Sequence, residues 1–345
     1  MNTDKSITQK QNSIDWDVLW ERYGITTVLV IAWILAYFLV PKFNLPDNML
    51  NVLRQSAFVG VAAVGMTVAI VSGTFDLSIG STLGLCAWTA VVVGAATGSV
   101  PLAMLASALV GIVVGFINGI LITRIKIPAF ITTLGMYFIV RAFHFILTDG
   151  AASRYSAKDF VWWGNGSVLG IPVPFIIFIF MAILIALVLN RTEFGRYVYS
   201  IGTNIQAARV AGVPVQATIM WIFIVSSLFA SFSAFLIGSR IYSAGPGLEP
   251  DFALNVIATV VLGGTRLAGG RGSMLGTVAA AILFAGMGNV LNLMHTDSFV
   301  QRVAVGLVLL LALSIEGVRQ RLFEISSRKT SKEVKLDKGP VSNVS

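Results

Sequence analysis

Apolar residues along this chain fall in long, nearly unbroken blocks, separated by short polar stretches. A bilayer core takes about 20 apolar residues per helix. Ten blocks fit: 24–41, 51–71, 78–97, 101–123, 127–147, 172–190, 216–238, 252–264, 274–294 and 298–317. The eighth is short, as expected of a tilted, broken or partly re-entrant helix, which a membrane tolerates only where protein or a water cavity covers the backbone. The pattern predicts an all-α polytopic membrane protein of about ten transmembrane helices.

Composition agrees. Of 345 residues, 56% are hydrophobic and 12% charged, about half the charge of a soluble domain, and the mean hydropathy is +0.84. The net charge of +8 would point to nucleic acid in a soluble chain. Here the cations lie between apolar blocks, so they report topology, and no nucleic-acid partner is expected. With the N-terminus placed inside, seventeen of the 24 Lys and Arg residues fall in inner segments, which predicts both termini in the cytoplasm. Residues 1–23 then form a cytoplasmic tail with no cleavable leader. Residues 24–318 form the membrane domain, and 319–345 a basic cytoplasmic tail, disordered beyond about Ser326.

Enzyme chemistry is missing. The one cysteine, Cys86, lies in an apolar block, and His144 and His295 are too few and too far apart for a metal site. There is no GxxxxGK[ST], GxSxG or HExxH; the glycine-rich GGTRLAGGRGS lacks the lysine of a phosphate loop and reads as a turn between helices. No metal or cofactor is expected on this chain. Ionisable groups are also sparse within the apolar blocks: Asp76 lies between the second and third, Arg141 and His144 toward the outer end of the fifth, and Glu316 at the inner end of the tenth. Ion-coupled carriers place such groups in the membrane interior. Their scarcity favours a neutral solute and an energy source on another chain.

Polar groups do recur. Thr133, Tyr137, Arg141 and His144 fall on one face of the fifth helix; Asn118 lies in the fourth, and Asn289 and Asn292 share a face of the ninth. They are either a polar track beside a solute pathway or ordinary interhelical hydrogen bonds. The polar segment 191–215 predicts a short exposed helix over IQAARVAG, started by Asn204 and ended at Gly212 before Pro214. The outer connection 148–171 carries Trp162 and Trp163, which suit a membrane interface. SGTFDLSIGSTLG at 72–84 and GGTRLAGGRGSMLG at 263–276 form a faint internal echo.

Four stretches, in order, resemble the ribose-type ABC importer permeases. SGTFDLSIGS at 72–81 resembles their DLS-x-GS signature, with Asp76, Ser78 and Gly80. LITRIKIPAFITTLGMYFIVRAF at 121–143 is similar to their K-x-PAF segment, with Pro128 and Phe130. FGRYVYSIGTNIQAARVAGV at 194–213 resembles their cytoplasmic loop, and LNVIATVVLGGTRLAGGRGSMLGT at 254–277 their glycine-rich stretch. Phe75 stands where the signature usually has an aliphatic residue, and Arg266 and Arg271 make the last turn unusually basic.

The resemblance implies a fold like that of the cobalamin importer permease, and a plasma-membrane permease subunit importing a small neutral monosaccharide such as a ribose-like pentose. Its implied partners are membrane lipid, a second permease subunit (identical or a close relative), a periplasmic sugar-binding protein and a cytoplasmic ATPase that holds ATP and Mg²⁺. It also implies ATPase contact at Gly202, Asn204, Ala207, Ala208 and Gly212. The alternative is a secondary transporter or facilitator for a neutral solute.

Overall fold

The computed structural model describes residues 16–248, 251–297, 299–303, 306–307 and 310, with side chains from Thr27 onward. The helices are α1 (Trp16–Leu39), α2 (Pro46–Val71), α3 (Ile79–Thr97), α4 (Val100–Thr123), α5 (Ala129–Thr148), α6 (Lys158–Asn165), α7 (Val173–Arg191), α8 (Glu193–Thr203), α9 (Ile205–Val210), α10 (Val215–Ile241), α11 (Phe252–Leu262) and α12 (Met274–Leu293). Four two-residue strands, β1 (Ser153–Arg154), β2 (Ser167–Val168), β3 (Ile171–Pro172) and β4 (Ser243–Ala244), make two antiparallel ladders, β1–β4 and β2–β3.

Among the described residues, seven helices are long and apolar enough to cross a bilayer: α2, α3, α4, α5, α7, α10 and α12. The expected count of ten is therefore not reached among the described residues. The first block forms the apolar part of α1, Thr27–Leu39, which is shorter than these seven. Its helix already begins at Trp16, inside the expected tail. The eighth is α11, whose eleven residues rise only about 16 Å, half a bilayer core. The tenth lies mostly outside the described residues, as do residues 1–15 and the tail 319–345.

α2 is the axis of the bundle. Every residue from Gly60 to Val71 is buried, and α7, α10, α11 and α12 pack around it. α4 and α10 make the most extensive helix pair among the described residues and approach closely at Gly111, Gly115 and Gly119. A Cβ on Gly111 would sit 2.6 Å from the Ser227 carbonyl oxygen, and one on Gly115 2.5 Å from that of Phe223. Lipid tails are as apolar as the helices, so close backbone approach rather than hydrophobic burial holds membrane helices together. The outer faces of α4, α5 and α7 expose Leu105, Leu109, Phe138, Ile139, Phe180 and Ile183, side chains that suit lipid.

One end of the bundle gathers the connections 72–78, 124–128, 192–214 and 263–273, with Arg124, Lys126, Arg191, Arg196, Arg209, Arg266 and Arg271. The opposite end carries 149–172 and 242–248, tied by the β1–β4 ladder, by the Ser243 hydroxyl donating to the Ser153 carbonyl (3.0 Å), and by Asn165, whose amide donates to the Arg240 carbonyl (3.1 Å).

Candidate functional site: a polar crevice and a glycine junction

The α2–α3 connection folds inward and buries its carboxylate. Asp76 is fully buried. Its Oδ1 accepts from the Ser78 N–H (3.1 Å) and hydroxyl (2.5 Å), and Oδ2 from the Ser226 hydroxyl on α10 (2.9 Å). Asn118 on α4 donates to the Ser78 hydroxyl (2.9 Å), and Thr133 on α5 to the Phe75 carbonyl (3.2 Å). Three helices are thus bonded to one seven-residue connection. A buried carboxylate needs such donors to offset its desolvation. Two residues of the signature, Asp76 and Ser78, form a clamp together with Asn118 and Thr133, with no face toward open space.

The rest of the α5 stripe borders such a face. Tyr137, Arg141 and His144 line a narrow crevice of about 20 Å³, together with Gly80, Ser81 and Gly84 of α3 and Gly247 and Leu248 of the segment 242–248. That is room for about one water molecule, so the crevice as it stands is narrower than a small-ligand site. The Arg141 guanidinium donates to the Tyr137 hydroxyl (2.7 Å) and lies over the Tyr137 and Phe145 rings. His144 packs 5.9 Å from the Trp88 ring, and its Nε2 is buried without a hydrogen-bond partner. Gly80 and Gly84 are one helical turn apart, and a Cβ on Gly84 would be 3.4 Å from His144 Nδ1, so these small residues keep the α3 wall low. A larger groove between α1 and α12, about 480 Å³, is lined by Val28, Leu35, Phe43, Leu283 and other apolar side chains. It offers almost nothing to a hydroxyl-rich solute.

At the basic end, glycines from three motifs meet. A Cβ on Gly202 would lie 1.9 Å from the Val71 carbonyl oxygen and 2.5 Å from the Gly270 nitrogen. The Gly270 N–H donates to that same carbonyl (2.8 Å). Gly269, at φ +83, would place a Cβ 2.7 Å from the Gly73 nitrogen. The two segments of the internal echo therefore touch, with α8 wedged against them. Tyr199 on α8 donates to the Gly272 carbonyl (3.4 Å), and burial pushes its phenol above the ordinary value.

Beyond this junction stands α9. Asn204 caps it, its side chain accepting from the Gln206 and Ala207 N–H groups (3.0 Å each), which satisfies donors the first turn leaves free. Gly212 closes the segment at φ +81. Asn204, Ala207 and Gly212 are exposed, whereas Ala208 is buried with Ile201, Val215, Ile219 and Phe223, and Gly202 faces the junction. Val210, which the sequence did not single out, is 90% exposed.

The remaining residues lie elsewhere. Asn289 forms a reciprocal amide pair with Asn48 (2.9 and 2.8 Å), and Asn292 accepts from Gln301 (2.8 Å); neither lines the crevice. Pro128 precedes α5 and Phe130 is exposed near its start. Ser81, Gly84, Gly247, Leu248 and Ser226 were not foreseen. The i, i+4 pair Gly80 and Gly84 was the available signal for the α3 wall.

Residues 48–313 match the family model described as the branched-chain amino acid transport system / permease component. The chain is 36% identical over 320 residues to the ribose import permease of Bacillus subtilis, covering 92% of this chain and 98% of that one. It is 34% identical over 311 residues to the L-arabinose transport system permease of Escherichia coli (90% and 95%), and 33% over 307 residues to that organism's ribose import permease (88% and 95%). No solved structure matches. With the family matched across most of its length and seven helices fit to span a bilayer, this chain belongs to the monosaccharide ABC importer permeases, multi-pass proteins of the bacterial plasma membrane.

Proposed function

We propose that this chain forms the membrane passage of an ATP-driven importer for a small neutral sugar of pentose size, with ATP bound and hydrolysed on a separate cytoplasmic subunit and the sugar delivered by a periplasmic binding protein. A second permease subunit, identical or related, completes the assembly. The orientation follows the charge: the basic end lies in the cytoplasm, which puts both termini there and the 149–172 connection outside.

The observation that carries this reading is the lever at the basic end. α9 is short, capped and exposed, and it continues from α8, which Gly202 locks against α2 and the 263–273 turn. A partner pressing on α9 moves elements that reach the Asp76 clamp and the start of α3, where Gly80 and Ser81 border the crevice. Tyr137, Arg141 and His144 supply hydroxyl-binding groups there, and none is a carboxylate suited to ion coupling. The solute needs no tight site in the passage; a ligand bound equally in both states drives nothing, so the switch comes from partner contact.

The test is uptake by liposomes containing the permease assembled with its co-purifying ATPase and binding protein, with ribose and L-arabinose as probes. Accumulation that requires ATP supports the reading. Accumulation by this chain alone, under an ion gradient and without ATP, establishes a secondary transporter; equilibration without either partner establishes a facilitator. Cys86 is buried, so Tyr137→Cys can be labelled selectively with a bulky thiol reagent. ATP-driven uptake that continues after labelling rules out the crevice as the passage.

A further inference from the structure

Arg141 sits about 10 Å before the end of α5, within an apolar membrane-spanning helix. Its described contacts are the Tyr137 hydroxyl and the rings of Tyr137 and Phe145. A cation at membrane depth ordinarily pairs with an acid. Here no described carboxylate does so, and the described crevice lining contains none. The fully buried acid among the described residues, Asp76, already accepts from Ser78 and Ser226 and does not line the crevice.

We propose that Arg141 is an electrostatic filter: a fixed positive charge, with no acidic partner among the described residues, that lets neutral polyols through the crevice while turning back protons and metal cations. This rests on the crevice being the sugar passage. The need is physical. Each opening of a polar passage in an energised membrane invites cations inward, down the membrane potential. In a low-dielectric wall a fixed charge repels cations far more strongly than in water. A neutral sugar meets no such barrier and can accept hydrogen bonds from the same guanidinium. Arginine at a constriction is a known physical means of excluding cations.

The test uses the assembled importer in liposomes, cycling with ATP under a valinomycin-imposed, inside-negative potential, with an internal pH dye reporting proton entry and a sodium dye reporting Na⁺. Arg141→Gln should raise proton or Na⁺ entry tenfold or more over the native protein, whereas Arg141→Lys, which keeps the charge, should stay tight. Monodisperse elution of both variants checks folding. Equal entry for Arg141→Gln and the native importer overturns the filter. If labelled Tyr137→Cys blocks uptake while Arg141→Gln stays tight, the filter alone falls. If labelling leaves uptake intact, the passage reading falls with it.

Discussion

Gly202 stands so close to Val71 that a single methyl carbon on it would come within 1.9 Å of the Val71 carbonyl oxygen. The carbonyl is backbone, and it also receives the Gly270 N–H, so it has no freedom to yield. Gly202→Ala should separate α8 from α2, destabilise by about 1–3 kcal/mol as overpacking does, and lower uptake more than binding of the ATPase. Thermal melting in detergent and pull-down with the ATPase measure the two effects. Gly98, with open space around it but φ +66, is the comparison: Gly98→Ala should show backbone strain alone.

Removing the buried acid should be costly. Asp76→Ala leaves the Ser78 and Ser226 hydroxyls without their acceptor, and each stranded buried group costs about 1–3 kcal/mol. Asp76→Asn keeps the shape and one acceptor and should lose less. Ser226→Ala removes one donor and should cost about 1–2 kcal/mol. Melting temperatures in the order native, Ser226→Ala, Asp76→Asn, Asp76→Ala check the clamp; an unchanged melt for Asp76→Ala refutes it.

The α9 cap gives a graded prediction. Asn204→Ala should cost about 1 kcal/mol, loosening α9 without disturbing the buried junction. Asn204→Asp restores an acceptor that also suits a helix N-terminus. ATP-driven uptake should fall in the first and recover in the second. Asn204→Arg, which places a charge where the ATPase is proposed to dock, should abolish assembly.

Asn48 and Asn289 bond each other through both amides. Asn289→Leu strands Asn48 against an apolar neighbour and should destabilise by about 1–3 kcal/mol. The double variant Asn48→Leu with Asn289→Leu should recover part of that loss, because no polar group is left unpaired, apart from the Phe43 carbonyl that Asn48 also serves. A melt of the double variant no higher than that of the single one would refute the pairing as a stabilising unit.

The sequence reveals those parts of the molecule whose cause is local. Apolar blocks mark α2, α3, α4, α5, α7, α10 and α12 because the bilayer requires them, and the shortness of the 252–264 block anticipates α11. Asn204 and Gly212 mark α9 by cap and turn chemistry. α8 was missed. Its residues, EFGRYVYSIGT, lie in a polar loop, and Asn204 ends it while starting the next helix, so two helices read as one segment. The crevice was half visible: side chains on α5 reveal its face by period, but the α3 wall is built from Gly80, Ser81 and Gly84, which show themselves only by being small. Ser226 had no signal, because its role comes from a carboxylate 150 positions away.

The β2–β3 hairpin has a consequence for experiment. Its turn, Leu169 at φ +52 and Gly170 at φ +80, has both residues in the left-handed region that two-residue hairpins favour, and Leu169 is 97% exposed. Nothing packs on that tip, so a short peptide tag inserted between Leu169 and Gly170 should leave the bundle undisturbed. Antibody reaching such a tag on intact spheroplasts would fix the sidedness of every helix at once.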